Sequence, residues 1–317
     1  MLRRREFLGV GLGAAAAAAI ASAAPANKIR WAISGNILFG RDPDIEKIRM
    51  MAPLAAKYHF TGIEPFTMNV SRYLDKPDEL KAVLDPLGLK FSTVSGGGDF
   101  VTPDGRKKTI AESFKYSKEL LVPMGCKHLK VNIASGSPRK PEGTSIDDLK
   151  TISVALNELG KRVHEELGLK FGFHPHLGSA VENEEETAFT LAHTDPKYVG
   201  LVPDTCHLAI GGMDPVKIVR ENWSRIVSIH IKDAPAKFRP GHILPTPEER
   251  KDMGSLFTTL GTGGVDFPAF FKLLKEKNYD YWVDLDYDPP RPGQGTIEEN
   301  LEHYTTYLQK TIKVWNV

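Results

Sequence analysis

Between positions 198 and 233, two apolar runs each break into residue types that bind metals or move protons. Val199-Gly200-Leu201-Val202 leads into Pro203-Asp204-Thr205-Cys206-His207, and Ile226-Val227-Ser228-Ile229 leads into His230-Ile231-Lys232-Asp233. Two further runs end the same way: Phe171-Gly172-Phe173-His174-Pro175-His176 and Trp282-Val283-Asp284-Leu285-Asp286-Tyr287-Asp288. Taken singly, a histidine at a strand end is ordinarily a hydrogen-bonded structural residue, and alternating aspartates are ordinarily a solvated edge. Here four consecutive strands end in Asp or His, and the carboxylates fall where a sheet core should be apolar. Burying them unpaired would cost several kcal/mol each, whereas a divalent cation supplies the missing charge. Mixed imidazole and carboxylate donors suit Mn, Co, Fe, Ni or Zn better than Ca. The expected chemistry is that of one divalent metal ion flanked by acid/base groups.

The elements that must position these residues alternate along the chain. Strand patterns occupy 28–34, 61–65, 89–94, 127–133, 169–174, 199–202, 226–229 and 281–286, the third ending in Ser95-Gly96-Gly97-Gly98. Helical spacing of three and four occupies 44–58, 77–87, 107–124, 145–167, 184–193, 267–277 and 297–314. Asp214-Pro215 opens a short helix, Asp214 as cap and Pro215 in the first turn. The stretch 234–266 is long enough to be a lid or binding loop. Eight strands each followed by a helix point to one (β/α)8 barrel over 27–317. A doubly wound sheet of two domains is the alternative, but no linker divides the chain. Alternate strand residues point into a barrel, and those at the C-terminal ends line its site. Glu64 ends the second strand, and Lys130 and Asn132 share one parity of the fourth.

The 317 residues carry a formal net charge of +1, with 41% hydrophobic and 26% charged residues. That is a soluble composition with no global field for nucleic acid or an anionic membrane. At the N-terminus, Arg4-Arg5-Glu6-Phe7-Leu8 resembles a twin-arginine export signal, and Ala21-Ser22-Ala23 offers a small-residue cleavage site. The apolar run between them falls short of the ~20 residues of a spanning helix. We expect a signal over 1–26, a periplasmic or secreted mature protein, and no stable membrane insertion after cleavage. Cys126 and Cys206 should lie at opposite ends of a parallel sheet as two free thiols.

These residues resemble the xylose isomerase-like TIM-barrel superfamily, the sugar phosphate isomerase/epimerase group, over essentially the whole mature chain. The resemblance is carried by Val199 to His207, by Ile229-His230-Ile231-Lys232-Asp233, by Gly261-Thr262-Gly263-Gly264-Val265-Asp266-Phe267 and by the run from Tyr281 to Asp288. It implies a single divalent metal at the ends of the fifth to eighth strands, where epimerase-like members use Glu, Asp, His and Glu. Asp204 and His230 match the middle two, while His174 and Asp286 stand in place of the two Glu. The resemblance therefore implies His174, Asp204, His230 and Asp286 as metal ligands. The family's epimerases move the proton with that Glu pair, so the two substitutions depart from a two-carboxylate mechanism. The His-x-His ending is similar to the inosose dehydratase branch. His176, His207, Lys232 and Glu64 become the candidate acid/base groups.

A metal on a sugar carbonyl and adjacent hydroxyl stabilises the enediolate formed when the α-proton leaves, and a His or Glu near neutral pKa can take that proton. Reprotonation gives isomerisation or epimerisation, and loss of a β-substituent gives elimination. The sequence puts first an isomerase or epimerase acting on an unphosphorylated keto-sugar or polyol. Second comes a lyase or dehydratase acting on an inosose or 3-keto-glycoside. A non-catalytic sugar-binding protein is the alternative of another class, and the neutral charge speaks against a DNA-repair nuclease. A phosphate near Gly261 to Gly264 is conceivable, though these glycines read first as a turn. A homo-oligomer is compatible with the sequence.

Overall fold

The computed structural model describes residues 29–34, 45–134, 139–239, 243–291 and 293–314. The expected signal over 1–26 lies outside them, as do the first residues of the expected strand 28–34 and helix 44–58. Among the described residues, nine strands form in chain order: β1 Arg30–Ser34, β2 Gly62–Glu64, β3 Lys90–Phe91, β4 Ser95–Asp99, β5 His128–Ala134, β6 Lys170–His174, β7 Gly200–Leu201, β8 Ile229–Ile231 and β9 Trp282–Leu285. The order β3-β2-β1-β9-β8 makes one hydrogen-bonded sheet and β4-β5-β6-β7 the other. Parallel bridges Phe66–Ser95, Leu201–Ile226 and Asp204–His230 join the two. The result is a (β/α)8 barrel of the xylose isomerase-like type, as the sequence predicts.

Two strand expectations need correction. The third barrel strand, expected over 89–94, is split into β3 and β4, and the glycines at its end form most of β4, which pairs with β5 from Ser95–Lys130 to Asp99–Ala134. Gly97 has φ +140°, and a Cβ there would lie 2.2 Å from the Asn132 carbonyl oxygen, so only glycine lets the two backbones approach this closely. The seventh strand is displaced from 226–229 to Ile229–Ile231. Before it, the Arg225 carbonyl and the Val227 side chain crowd Gly200, where a Cβ would meet them at 2.5 and 2.3 Å.

The helices are α1 Ile45–Lys57, α2 Thr67–Val70, α3 Pro77–Leu84, α4 Pro103–Tyr116, α5 Ile146–Leu167, α6 Glu184–Ala192, α7 Thr205–Ile210, α8 Pro215–Glu221, α9 Phe267–Glu276 and α10 Ile297–Thr306. Their starts follow capping chemistry. Ser145 accepts from the Asp148 amide, Asn183 and Glu186 form a capping box, and Asp214 accepts from the Val216 and Lys217 amides. The stretch after β8 is not structureless, since it holds 3₁₀ turns at Ala236–Phe238 and Glu249–Leu256. Both cysteines are buried and free, as expected.

Strand parity divides the interior. Ile33, Ile63, Phe91, Leu129, Val131, Phe171, Phe173, Ile229, Ile231, Val283 and Leu285 belong to the main apolar cluster, with the helix residues Ile152, Leu156, Phe270 and Leu274. The opposite parity carries Glu64, Lys130, His174, His230 and Asp284, all buried. At the closed end of the barrel, Trp282 fits against Gly62 and Ala32, leaving no room for a Cβ at Gly62. The helices are thus held by the outer face of each strand, which frees the inner face for polar groups.

Candidate metal centre and active site

His174, Asp204 and His230 converge at the C-terminal end of the barrel, each offering one donor atom within 4.8 Å of the others. Each is oriented by a different local device. The Nδ1 of His174 lies 2.9 Å from the Val202 carbonyl oxygen, so it carries the proton and leaves the Nε2 lone pair free. Asp204 caps α7: its Oδ1 accepts from the amides of Cys206 at 2.7 Å and His207 at 3.0 Å. Its Oδ2 is buried with no hydrogen-bond partner. The Nε2 of His230 donates to Glu64 Oε2 at 2.9 Å, and its Nδ1 is buried without a partner. A carboxylate behind a histidine is the usual support of a metal-binding imidazole.

Glu64, a predicted acid/base residue, therefore has both oxygens engaged, the second by Lys130 at 2.6 Å. Burial pushes its carboxyl up, but the His230 and Lys130 charges outweigh this and hold it at about 2. Burial likewise pushes His230 down, and the Glu64 carboxylate more than restores it. A cation binding at Nδ1 would do so in competition with a proton.

The fourth expected ligand, Asp286, lines the same cavity as His174. It groups with Asp204 and His207, accepts from Ser34 Oγ at 2.8 Å and pairs with Lys232 at 3.0 Å. Although burial opposes it, the Lys232 ammonium holds Asp286 well below the usual carboxylate range. Lys232 also pairs with Asp288, and its ammonium lies 3.9 Å from the centroid of the Phe257 ring.

His176 and His207 meet at a ring-centroid distance of 3.7 Å, and Phe257 packs edge-on against His207. His176 Nδ1 lies 2.7 Å from the Leu177 carbonyl oxygen, leaving Nε2 to face the cavity. Neither ring nitrogen of His207 has a hydrogen-bond partner, although Nε2 is 3.7 Å from Asp286. Burial, with repulsion between the two rings, pushes His176 down to about 3. Burial takes His207 to about 4, against a partial pull from Asp286. Burial also takes His174 well below its ordinary range. Three neutral imidazoles are therefore available as lone-pair donors at neutral pH.

The donor set fits a cation. Glu64, Asp204, Asp284 and Asp286 are buried carboxyls, and among the described residues only the ammoniums of Lys130 and Lys232 are buried beside them. Burial, then repulsion from Asp286, raises Asp204. Burial and repulsion from Glu64 raise Asp284 to about 7. A positive ion among His174, Asp204 and His230 would relieve both the unpaired oxygen and this excess of acid.

The structure brings every predicted site residue to the barrel mouth. Three further residues share the site. Lys130 and Asp284 lie on the inward parity of their strands, a signal present in the sequence. Phe257 comes from the loop after β8, which carries no periodicity to mark it, and Arg250 of the same loop lies outside the site. Arg250 donates to Glu182 at 2.6 and 3.1 Å, and Glu182 in turn accepts from the Gly178 amide at 2.5 Å. The glycines at 261–264 form a turn: Asp233 Oδ2 accepts from the Gly261 and Gly263 amides, both at 2.9 Å. Those amides are thereby taken up by an internal carboxylate.

The chain belongs to the xylose isomerase-like TIM-barrel family, which it matches over residues 52–307. An inosose dehydratase of Geobacillus kaustophilus is 31% identical over 248 residues, covering 73% of this chain and 79% of that protein. Among solved structures, the IolI protein with a binding zinc atom superimposes with a TM-score of 0.69 at 18% identity, over 91% of this chain and 100% of the other. The apo form of 3-keto-D-glucoside 4-epimerase from E. coli gives 0.65 at 18% identity, over 88% and 99%. At those identities the two structures establish a shared barrel and nothing finer.

Proposed function

We propose that this protein is a divalent-metal-dependent lyase that dehydrates a cyclic keto-polyol of the inosose type. One observation carries the reading: His174, Asp204 and His230 converge, with Asp204 Oδ2 and His230 Nδ1 buried and unpaired, beside the neutral His176–His207 pair. The similarity to inosose dehydratases favours elimination over the isomerase or epimerase reading that the sequence puts first. His174 Nε2, an Asp204 oxygen and His230 Nδ1 would hold the ion, one of Mn, Co, Fe, Ni or Zn. Asp286 would join them only by loosening its pair with Lys232. A bound divalent cation polarises a carbonyl oxygen and offsets the negative charge that builds on it.

The chain's own residues supply the rest. Glu64 holds His230 in the tautomer that exposes Nδ1. His176 presents Nε2 to the cavity as the base that takes the proton beside the carbonyl. Asp286, whose charge draws His176 upward against burial, supports the imidazolium. The C–O bond at the next carbon breaks, its electron pair leaves with the oxygen, and the same proton completes a water molecule. Lys232 donates to a substrate oxygen, and Phe257 keeps bulk water from the histidine pair.

The test is to incubate metal-loaded protein with a 2-keto inositol in heavy water and follow the product by mass spectrometry. Loss of one water per molecule is expected, with metal retained by the wild type and lost in Asp204→Ala and His230→Ala. Deuterium incorporation without water loss would return the isomerase reading. No metal and no exchange would leave a sugar-binding protein. Export, with a signal over 1–26, is also proposed, on Arg4-Arg5 and the short apolar run that follows. A mature protein starting near residue 27 in a periplasmic fraction would support it, and an intact N-terminus in the cytoplasm would refute it.

A further inference from the structure

The cavity that opens on His174 and His176 is walled on one side by Ser34, Glu64 and Asp286 and on the other by Ser95, Lys130 and Asn132. The two walls are finished differently. On the first, Ser34 Oγ donates to Asp286, Asp286 pairs with Lys232, and Glu64 is engaged by His230 and Lys130. On the second, Ser95 Oγ and Asn132 Oδ1 are buried with no hydrogen-bond partner. Most buried polar atoms are satisfied, so two orphans facing one cavity mark a place where a ligand completes them. We propose that Ser95 and Asn132 are specificity-determining residues of this site, each hydrogen-bonding a ring hydroxyl of the substrate away from its carbonyl. The protein thereby selects a polyhydroxylated ring and rejects its deoxy analogues. The inference rests on the lyase reading above and adds the residues that recognise the ring.

Both residues are held by the sheet and not by a loop. The Ser95 amide donates to the Pro65 carbonyl oxygen at 2.8 Å, and Ser95 is the register partner of Lys130. Asn132 lies in register between Gly97 of β4 and His174 of β6. Polar groups on strands held from both sides are fixed before a ligand arrives. Asn132 is two residues beyond Lys130, which sets it and Ser95 on a diagonal of about 8 Å between neighbouring strands. That spacing is comparable with the breadth of a hydroxylated six-membered ring. The chemistry of the two atoms sets the class of ligand. Asn132 Oδ1 only accepts, so the group that meets it must donate, as a hydroxyl does and an ionised carboxylate or phosphate does not. Ser95 Oγ can donate or accept. Phe66, on the same cavity, adds an apolar surface for the C–H face of such a ring. A ligand hydroxyl replaces any solvent bond to these atoms in kind, whereas a C–H in its place leaves them unpaired.

The experiment measures kcat/KM for metal-loaded wild type, Ser95→Ala and Asn132→Leu on a 2-keto inositol. It repeats this on analogues that each lack one hydroxyl away from the carbonyl and the breaking bond. Calorimetry with the parent inositol, which has no carbonyl, gives a second readout that needs no turnover. The wild type should lose about 10–100-fold in kcat/KM on an analogue whose missing hydroxyl meets either residue. Each variant should lose a similar factor on the full substrate, little more on its own matched analogue, and bind the parent inositol about tenfold more weakly. Ser95→Ala should unfold at no lower temperature than wild type, because it removes an unpaired buried hydroxyl. A lower midpoint makes that hydroxyl a structural one and overturns its role. An equal loss on every substrate, or no loss, overturns the assignment and leaves the lyase standing. If the wild type dehydrates no inosose, the lyase reading fails by itself. The assignment then stands on weaker inositol binding in both variants, and falls if that binding is absent or unchanged.

Discussion

Asp204 and Asp233 close neighbouring strands of one barrel, and both cap a turn with backbone amides, yet they end in opposite states. Asp233 spreads four amides over its two oxygens: Ala234 and Val265 on Oδ1, Gly261 and Gly263 on Oδ2. Asp204 gives two amides to Oδ1 and leaves Oδ2 buried and unpaired. A saturated carboxylate is a structural part, holding the loop after β8 to the strand it leaves. A half-saturated buried one carries an unmet demand for positive charge. The residue types do not distinguish the two positions. The count of satisfied lone pairs does.

The largest effects should separate these two aspartates. Asp204→Ala should remove metal from the purified protein and lower activity by about 10²–10³-fold. Its stability should stay within about 1 kcal/mol of the metal-free wild type, because one lost cap is offset by removal of an unpaired buried oxygen. Asp233→Ala should do the reverse, costing about 3 kcal/mol of stability as four amides lose a charged acceptor, with metal retained in the folded fraction. Denaturant unfolding beside elemental analysis of both variants checks this. If Asp233→Ala loses metal while folded, the distinction between the two carboxylates fails.

Glu64→Gln sharpens the same contrast one step back from the donors. An amide can still accept from His230 Nε2 but carries no charge, so metal affinity should fall about 10–100-fold with the barrel intact. Competition with a chelator of known strength measures it. An unchanged affinity would mean that Glu64 serves only to neutralise Lys130.

Much of this arrangement was legible in the strands, because burial on both faces forces a strict parity of two. Alternation alone placed Glu64, Lys130, His174, His230, Asp284 of β9 and Asp286 just beyond it on the inner face. It failed where the backbone itself decides. The glycines of β4 carry no side chains to alternate, and only the close approach to Asn132 makes them a strand. The start of β8 was misplaced because Val227 is apolar but packs on Gly200 outside the regular ladder. The cover over His207 was not legible either, because Phe257 comes from a loop whose path is fixed by tertiary contacts. The difference between Asp204 and Asp233 belongs to the same class, since an unpaired oxygen leaves no mark on composition or spacing.

The smallest effect concerns Glu182, a third buried carboxylate, which is satisfied like Asp233 but by charges instead of amides alone. Its partners are Arg250 at 2.6 Å, Arg139 at 3.3 Å and the Gly178 amide. Burial pushes its carboxyl up, but the Arg250 hydrogen bonds and the Arg139 charge outweigh burial, so the net shift is downward. A depressed carboxyl contributes stability that is complete above its unfolded value, about 4.3, and is lost as pH falls through the lower folded value. Acidification below about pH 4 should therefore free the turn at Glu249–Leu256 before the barrel unfolds, seen as faster amide exchange there. Arg250→Ala should cost about 1–2 kcal/mol, since Arg139 still faces the carboxylate. It should also move the onset of that exchange to higher pH, because the depressed value relaxes upward. Metal content should not change, as Glu182 touches no proposed ligand. With the turn loosened, Phe257 no longer covers His207, and KM should rise more than kcat falls. A matched fall in kcat and metal content would instead tie Glu182 to the same unmet demand as Asp204.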